Sequence, residues 1–223
     1  MNLLEKFNII PNDEHLYEVA FMHGSYSAKI GVDYTYERLE FLGDSVLNMI
    51  VSEYLFKKYS DYKEGDLTKL RANYVCQTAL IFYSHELGLD KHIKIFSEDN
   101  NISDNEILSI TADVFESFLG AIFLDQGIEF AKDYISKIIF KYIDQEKVFF
   151  ADYKSAMKEY GDAEEVDVSY EIIEEYGLPH DKTFIISILV DGKEMGIGKG
   201  KNKKEAEQKA AEKAMEKLGI EKY

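Results

Sequence analysis

Apolar residues recur at helical spacing through the first 150 residues of the chain and at a spacing of two in much of the remainder. A helix and a half-buried strand require different periods, so the chain must hold two kinds of structure in series. Helical spacing runs through Tyr17–Met22, Leu39–Phe56, Leu67–Leu87, Val114–Leu124 and Ile128–Ile143. Gly65-Asp66 and Gly88 read as turns, Gly127 as a helix end, and the acidic, Asn-rich stretch Ser97–Ser109 as a loop. Asp152–Tyr160 predicts a short helix. Val168–Glu174 and Thr183–Val190 predict strands, the second with Phe184, Ile186, Ile188 and Val190 alternating. Asp191-Gly192 predicts a type I′ hairpin turn into a third strand over Glu194–Lys199. From Asn202 onward, Ala206, Ala210, Ala211 and Ala214 form a small-residue stripe with Met215 and Leu218, suited to a helix lying close on a sheet. The expected fold is an all-α domain over 1–148 followed by a small α+β domain, ordered α-β-β-β-α, over 152–220.

At 223 residues and 46% hydrophobic content the chain is not wholly disordered. Its longest uncharged apolar run falls far short of the roughly 20 residues that cross a bilayer, and its start lacks the basic region of a signal peptide. The expectation is therefore a cytoplasmic protein with no membrane partner. One cysteine, Cys76, cannot form an internal disulfide, and with five scattered histidines it does not make a zinc cage. Net charge is −16, which on composition alone argues against nucleic acid. The average conceals one dense basic spot: Lys199, Lys201, Lys203 and Lys204, with no acid among them.

The densest chemistry is Glu37-Arg38-Leu39-Glu40-Phe41-Leu42-Gly43-Asp44-Ser45-Val46-Leu47. At about 100° per residue, Glu37, Glu40 and Asp44 share one helix face, and Leu39, Leu42, Val46 and Ile50 gather on the other. Asp113 and Glu116 repeat the device, with Gly120 one turn further, where a second helix could approach closely. If the two helices cross there, Glu40, Asp44, Asp113 and Glu116 converge, and four hard oxygen ligands suit Mg²⁺ or Mn²⁺. Acids on amphipathic helices are as a rule solvated faces, and spacing alone leaves that reading open. Phe41 falls about 40° from Glu37, on the acidic face. A ring there calls for cover, either by a partner subunit or by a loop of the same chain.

Asn202 is a good N-cap, and Lys203 and Lys204 then fall in the first helical turn, where the helix dipole disfavours cations. A phosphate would gain from both the lysines and the exposed amides there. A surface lysine cluster without a role is the alternative.

Residues 37–47, ERLEFLGDSVL, resemble the signature of the ribonuclease III family. EGDLTKLRA (64–72) and TADVFESFLGAIFLD (111–125) are similar to its next two blocks, in the same order. Residues 152–219 are similar to the double-stranded RNA-binding domain that follows in bacterial-type members, through Asp152-Tyr153-Lys154, the run Gly177–Phe184 and Lys203-Lys204-Glu205-Ala206-Glu207.

The resemblance implies a homodimeric, Mg²⁺-dependent endoribonuclease that hydrolyses double-stranded RNA in rRNA and mRNA processing, with Mn²⁺ as a substitute and no small-molecule cofactor. Its products would carry 5′-phosphate and 3′-hydroxyl ends with short 3′ overhangs. It further implies Asp44 and Glu116 as catalytic residues, Glu40, Asp44, Asp113 and Glu116 as the metal set, Glu37 and Glu64 as accessory acids, and Phe41 at the dimer interface. RNA would be met by Lys154, Lys158, His180, Lys182, Lys201, Lys203 and Lys204. Three features depart from the family pattern: Tyr36 stands where Asn is usual, Lys158 where Gln is frequent, and the 97–109 stretch is acidic where relatives are often Gly-rich and basic. The rival readings are a duplex-RNA-binding protein whose acidic half only dimerises, and a hydrolase of small phosphate esters, which gives residues 152–223 no task.

Overall fold

A computed structural model of the chain describes residues 3–97, 102–149, 152–178 and 181–220. The chain divides into two compact units, residues 1–150 and 151–223. In the first, the helices are α1 (Leu3–Lys6), α2 (Glu14–Val19), α3 (Gly24–Ile30), α4 (Glu37–Lys58), α5 (Glu64–Val75), α6 (Gln77–Leu87), α7 (Asp104–Gln126), α8 (Ile128–Ile135) and α9 (Lys141–Asp144). A π-helical stretch, Ser136–Phe140, joins α8 to α9.

Helix α7 is the axis of this unit. Phe115, Phe118, Leu119 and Ile122 are wholly buried, and Phe7, Tyr17, Phe21 and Tyr134 pack their rings around Phe118. By length and composition α7 could cross a membrane, but 67% of its most apolar window is buried inside the protein, as in a core helix. Helix α4 lies directly against it. A Cβ on Gly43 would stand 1.8 Å from the Glu116 carbonyl oxygen, and one on Gly120 would stand 2.2 Å from that of Leu39. The two backbones therefore touch, which no side chain at either position permits.

Several local expectations change. Residues 104–109 of the predicted loop are helical, because Ser103 caps α7: its Oγ accepts from the Glu106 amide at 3.2 Å. The predicted helix over Leu67–Leu87 is two helices, broken where Cys76 adopts an extended backbone. Gly65 and Asp66 form the first turn of α5 and not a reverse turn. The helix read over Tyr17–Met22 ends at Val19. Met22 instead makes an isolated bridge to Lys94.

The second unit holds α10 (Tyr153–Glu164), β1 (Val168–Leu178), β2 (Asp181–Val190), β3 (Lys193–Gly200) and α11 (Lys203–Leu218). This is the expected α-β-β-β-α order. The sheet runs β1-β2-β3, antiparallel throughout. Asp191 and Gly192 both take positive φ (49° and 71°), as a type I′ turn demands. Ile186 and Ile188 on β2 face Ala206, Ala210 and Ala214 of α11 inside the core. Contact is again at the backbone: a Cβ on Gly198 of β3 would stand 2.0 Å from the Ala206 carbonyl oxygen.

Gly43→Ala should force α4 off α7 and destabilise the first unit by about 2–3 kcal/mol, the ordinary cost of overpacking, read as a lower urea midpoint by circular dichroism. Gly65→Ala, which meets nothing within 4 Å, should change stability by less than about 0.5 kcal/mol.

Candidate active site and nucleic-acid interface

The α4–α7 backbone contact puts four carboxylates within electrostatic reach of one another. Glu40 and Asp44 stand one turn apart on α4, either side of Gly43. Asp113 and Glu116 lie on α7, with Glu116 at the residue whose carbonyl touches Gly43. Burial first, then the charges of Asp44, Glu40 and Asp113, push the Glu116 carboxyl up to about 8. Burial, then Asp113, Glu37 and Asp44, push Glu40 up to about 7. Glu37 is thus close enough to act on Glu40, although it is itself exposed.

The four acids differ in their partners. Asp44 Oδ1 accepts from Asn48 Nδ2 at 2.6 Å, and Asp113 Oδ2 accepts from the Tyr36 hydroxyl at 3.0 Å. Burial raises the Asp113 carboxyl, while the Tyr36 hydroxyl and the nearby His23 hold it down. Glu40 and Glu116 accept no side-chain hydrogen bond, and no lysine or arginine ion-pairs with any of the four, among the described residues. Nor, among those residues, do three acidic, histidine or cysteine side chains form a ready-made metal-holding group. Gathering the oxygens onto one cation calls for side-chain rotation from this arrangement. The donor set nevertheless suits a divalent cation: it is all hard oxygen, carried on two packed helices, with no lysine or arginine ion-paired to it among the described residues.

Glu64 lies in the first turn of α5, exposed, accepting from Thr68 at 3.1 Å. Among the described residues, none of the interactions around the four carboxylates involves it. Phe41 is 78% exposed, so no described residue of this chain covers it. Asn48 and His23 were not singled out by the sequence. Asn48 sits four residues beyond Asp44 on the same helix, the spacing at which side chains meet, and that signal could have found it.

In the second unit Asn202 caps α11, its side chain accepting from the Glu205 amide at 2.9 Å. Lys203 and Lys204 are exposed in the first turn, and Lys203 lies 6.0 Å from the Phe184 ring. Lys201 is exposed just ahead of the cap, its amide donating to Glu205 at 2.8 Å. Lys158 is exposed on α10. Lys154 pairs with Glu207 at 2.6 Å, and Lys182 pairs with Glu175. Any phosphate held by those two must compete with a carboxylate of the same unit. His180 lies outside the described residues.

Glu40 and Glu116 bind protons more tightly folded than unfolded, so their protonation supports the fold. That support is complete below about pH 4.5 and lost as pH rises through about 7 and 8. In EDTA, the thermal midpoint should therefore fall between pH 5 and pH 8.5. Mg²⁺ should restore more of it at the upper end, and Glu116→Gln should flatten the slope. A midpoint independent of pH and Mg²⁺ across that range would contradict the raising of these carboxyls by burial and mutual repulsion.

Comparison with known proteins bears on both units. Residues 13–143 match a family model described as ribonuclease-III-like, and residues 153–218 match the double-stranded RNA binding motif. Ribonuclease 3 of Streptococcus gordonii is 40% identical over 222 residues, spanning 96% of this chain and 94% of that protein. Ribonuclease 3 of Staphylococcus haemolyticus is 39% identical, spanning 91% and 84%. The solved nuclease domain of ribonuclease III from Campylobacter jejuni has a TM-score of 0.57 at 37% identity, covering 62% of this chain and 94% of that one. Two helices meeting at bare backbone beneath an all-carboxylate cluster, in one chain with a lysine-started helix on a three-stranded sheet, have the same explanation as these matches: the chain belongs to the ribonuclease III family and is an endoribonuclease with a double-stranded RNA-binding domain.

Proposed function

We propose that this endoribonuclease hydrolyses RNA phosphodiesters in duplexes at the α4–α7 carboxylate cluster, leaving 5′-phosphate and 3′-hydroxyl ends with short 3′ overhangs. The observation that carries the reading is the crowding of Glu40, Asp44, Asp113 and Glu116 at a backbone contact, where among the described residues no lysine or arginine ion-pairs with them. The family is generally dependent on a divalent metal. Here Mg²⁺, or Mn²⁺ in its place, would be held by those four side chains and would supply charge neutralisation and Lewis acidity at the phosphodiester. Asp44 and Glu116, one from each helix, would be the catalytic pair among them. Glu37 and Glu64, both exposed acids at helix starts, act as accessory groups. No histidine base or cysteine nucleophile is needed.

The second unit supplies the grip. Lys201, Lys203 and Lys204 meet phosphates across a major groove, while α10, through Lys154 and Lys158, and, beyond β1, His180 and Lys182 meet the flanking minor grooves. Such contacts read A-form shape and 2′-hydroxyls with little base sequence. They also account for RNA binding by a chain of net charge −16, because attraction is local to the lysines. The processing of rRNA and mRNA in the cytoplasm is the setting this activity suits. Phe41, exposed beside the cluster, is covered by a second copy of the chain. The related Campylobacter jejuni nuclease domain is itself described as having a region involved in dimer formation.

Purified protein with Mg²⁺ should cut a long RNA duplex to short products with the stated ends. Glu116→Gln should bind the duplex and leave it intact. Duplex that survives the wild-type protein across a range of salt and metal would sink the proposal, and a Glu116→Gln protein that still cuts would remove the carboxylate cluster from it. Replacing Lys203 and Lys204 with Ala should weaken binding to unrelated duplexes about equally and reduce the salt slope by up to about 2; a loss confined to certain sequences would contradict shape reading. Phe41→Ala should shift sedimentation toward monomer at low concentration.

A further inference from the structure

Tyr36 is buried beside the carboxylate cluster, 5% exposed, and its side chain and backbone each make one long-range hydrogen bond. Its hydroxyl donates to Asp113 Oδ2 across 77 positions of sequence. Its amide donates to the Met22 carbonyl at 3.0 Å.

The segment carrying that carbonyl is itself pinned. Lys94 donates its amide to Phe21 at 2.8 Å, and His23 donates its amide to Lys94 at 3.0 Å. Ser117, in the same helix as Asp113, donates its hydroxyl to the Ala20 carbonyl at 2.9 Å. The His23 ring lies 6.0 Å from the Tyr36 ring, and its Nδ1 accepts from the Ser25 amide at 3.3 Å. The Ser25 hydroxyl in turn accepts from the Phe96 amide at 3.0 Å. A phenol held this way is not an adaptable surface contact; its direction is set by backbone on both sides.

We propose that Tyr36 is a positioning residue for the divalent cation of this enzyme: its hydroxyl takes Oδ2 of Asp113, fixing the rotamer and leaving Oδ1 to the cation. The inference rests on the reading that Glu40, Asp44, Asp113 and Glu116 hold that cation. A phenol is neutral near pH 7 and so donates here as an uncharged group. A neutral donor orients a carboxylate without cancelling its charge, which a lysine or arginine at the same place would do. Among the described residues no lysine or arginine ion-pairs with the four carboxylates, in keeping with that logic.

The test uses the full-length protein stripped of metal, without RNA. Free Mn²⁺ is measured by electron paramagnetic resonance during titration with Mn²⁺ alone. Tyr36→Phe keeps the ring and the amide and removes only the hydroxyl. It should weaken Mn²⁺ binding about tenfold, and the Mg²⁺ midpoint of duplex cleavage should rise by a similar factor. In an Asp113→Asn background, the same substitution should cost little more, because the two act as one unit. Equal Mn²⁺ affinity in wild type and Tyr36→Phe overturns the inference alone. So does an additive loss in the double variant, or a Tyr36→Phe protein that no longer folds, either of which would make Tyr36 only a core residue. Wild-type protein that binds no Mn²⁺ overturns the cation reading itself and this inference with it.

Discussion

The contact between α4 and α7 at Gly43 and Gly120 governs the first unit. Side chains normally hold helix axes 8–10 Å apart; here each glycine lets the opposing carbonyl come to where a Cβ would be. That closeness has two effects at once. It buries the apolar stripe of α4 against α7, with Leu47 and Val51 wholly enclosed. It also carries the acids of both helices into one small volume, which the apolar packing stabilises against their repulsion. The fold pushes like charges together and holds them there.

The second unit solves the opposite electrostatic problem. A lysine in the first turn of a helix is unfavourable toward the dipole, and α11 accepts two. Asn202 and Glu205 offset part of that cost, the first by capping and the second by accepting the Lys201 amide. Around this spot other lysines are neutralised at home, Lys154 by Glu207 and Lys182 by Glu175. The basic surface is therefore narrower than a count of lysines implies.

How much of this was legible in the sequence depends on the range of the interactions involved. Local periodicity revealed the α-β-β-β-α order, the Asp191-Gly192 turn and the two acidic faces, because each is written within a few residues. Gly43 and Gly120 hinted at the helix crossing, since a glycine midway through a helix has no local advantage. The helical start at Asp104 was readable in Ser103 followed three residues later by Glu106, a capping pattern hidden by the polar composition around it. The break at Cys76 was not readable: no glycine or proline marks it. Nor were the contacts of Tyr36 with Asp113 or of Ser117 with Ala20, whose partners lie far apart in the chain. Tyr36 stood out only as a departure from pattern, and the structure shows what the departure reaches.

Strand β3 offers a last consequence. Its alternate residues Gly196, Gly198 and Gly200 present bare backbone to α11, and the helix rests on them through Ala206, Ala210 and Ala214. The height of the helix above the sheet is thus dictated by atoms that are missing. Lys203 and Lys204 ride at the start of that helix, so the spacing of their charges from the hairpin is gauged by a strand that bears no charge toward them. A side chain added at Gly198 would lift the helix and carry both lysines with it.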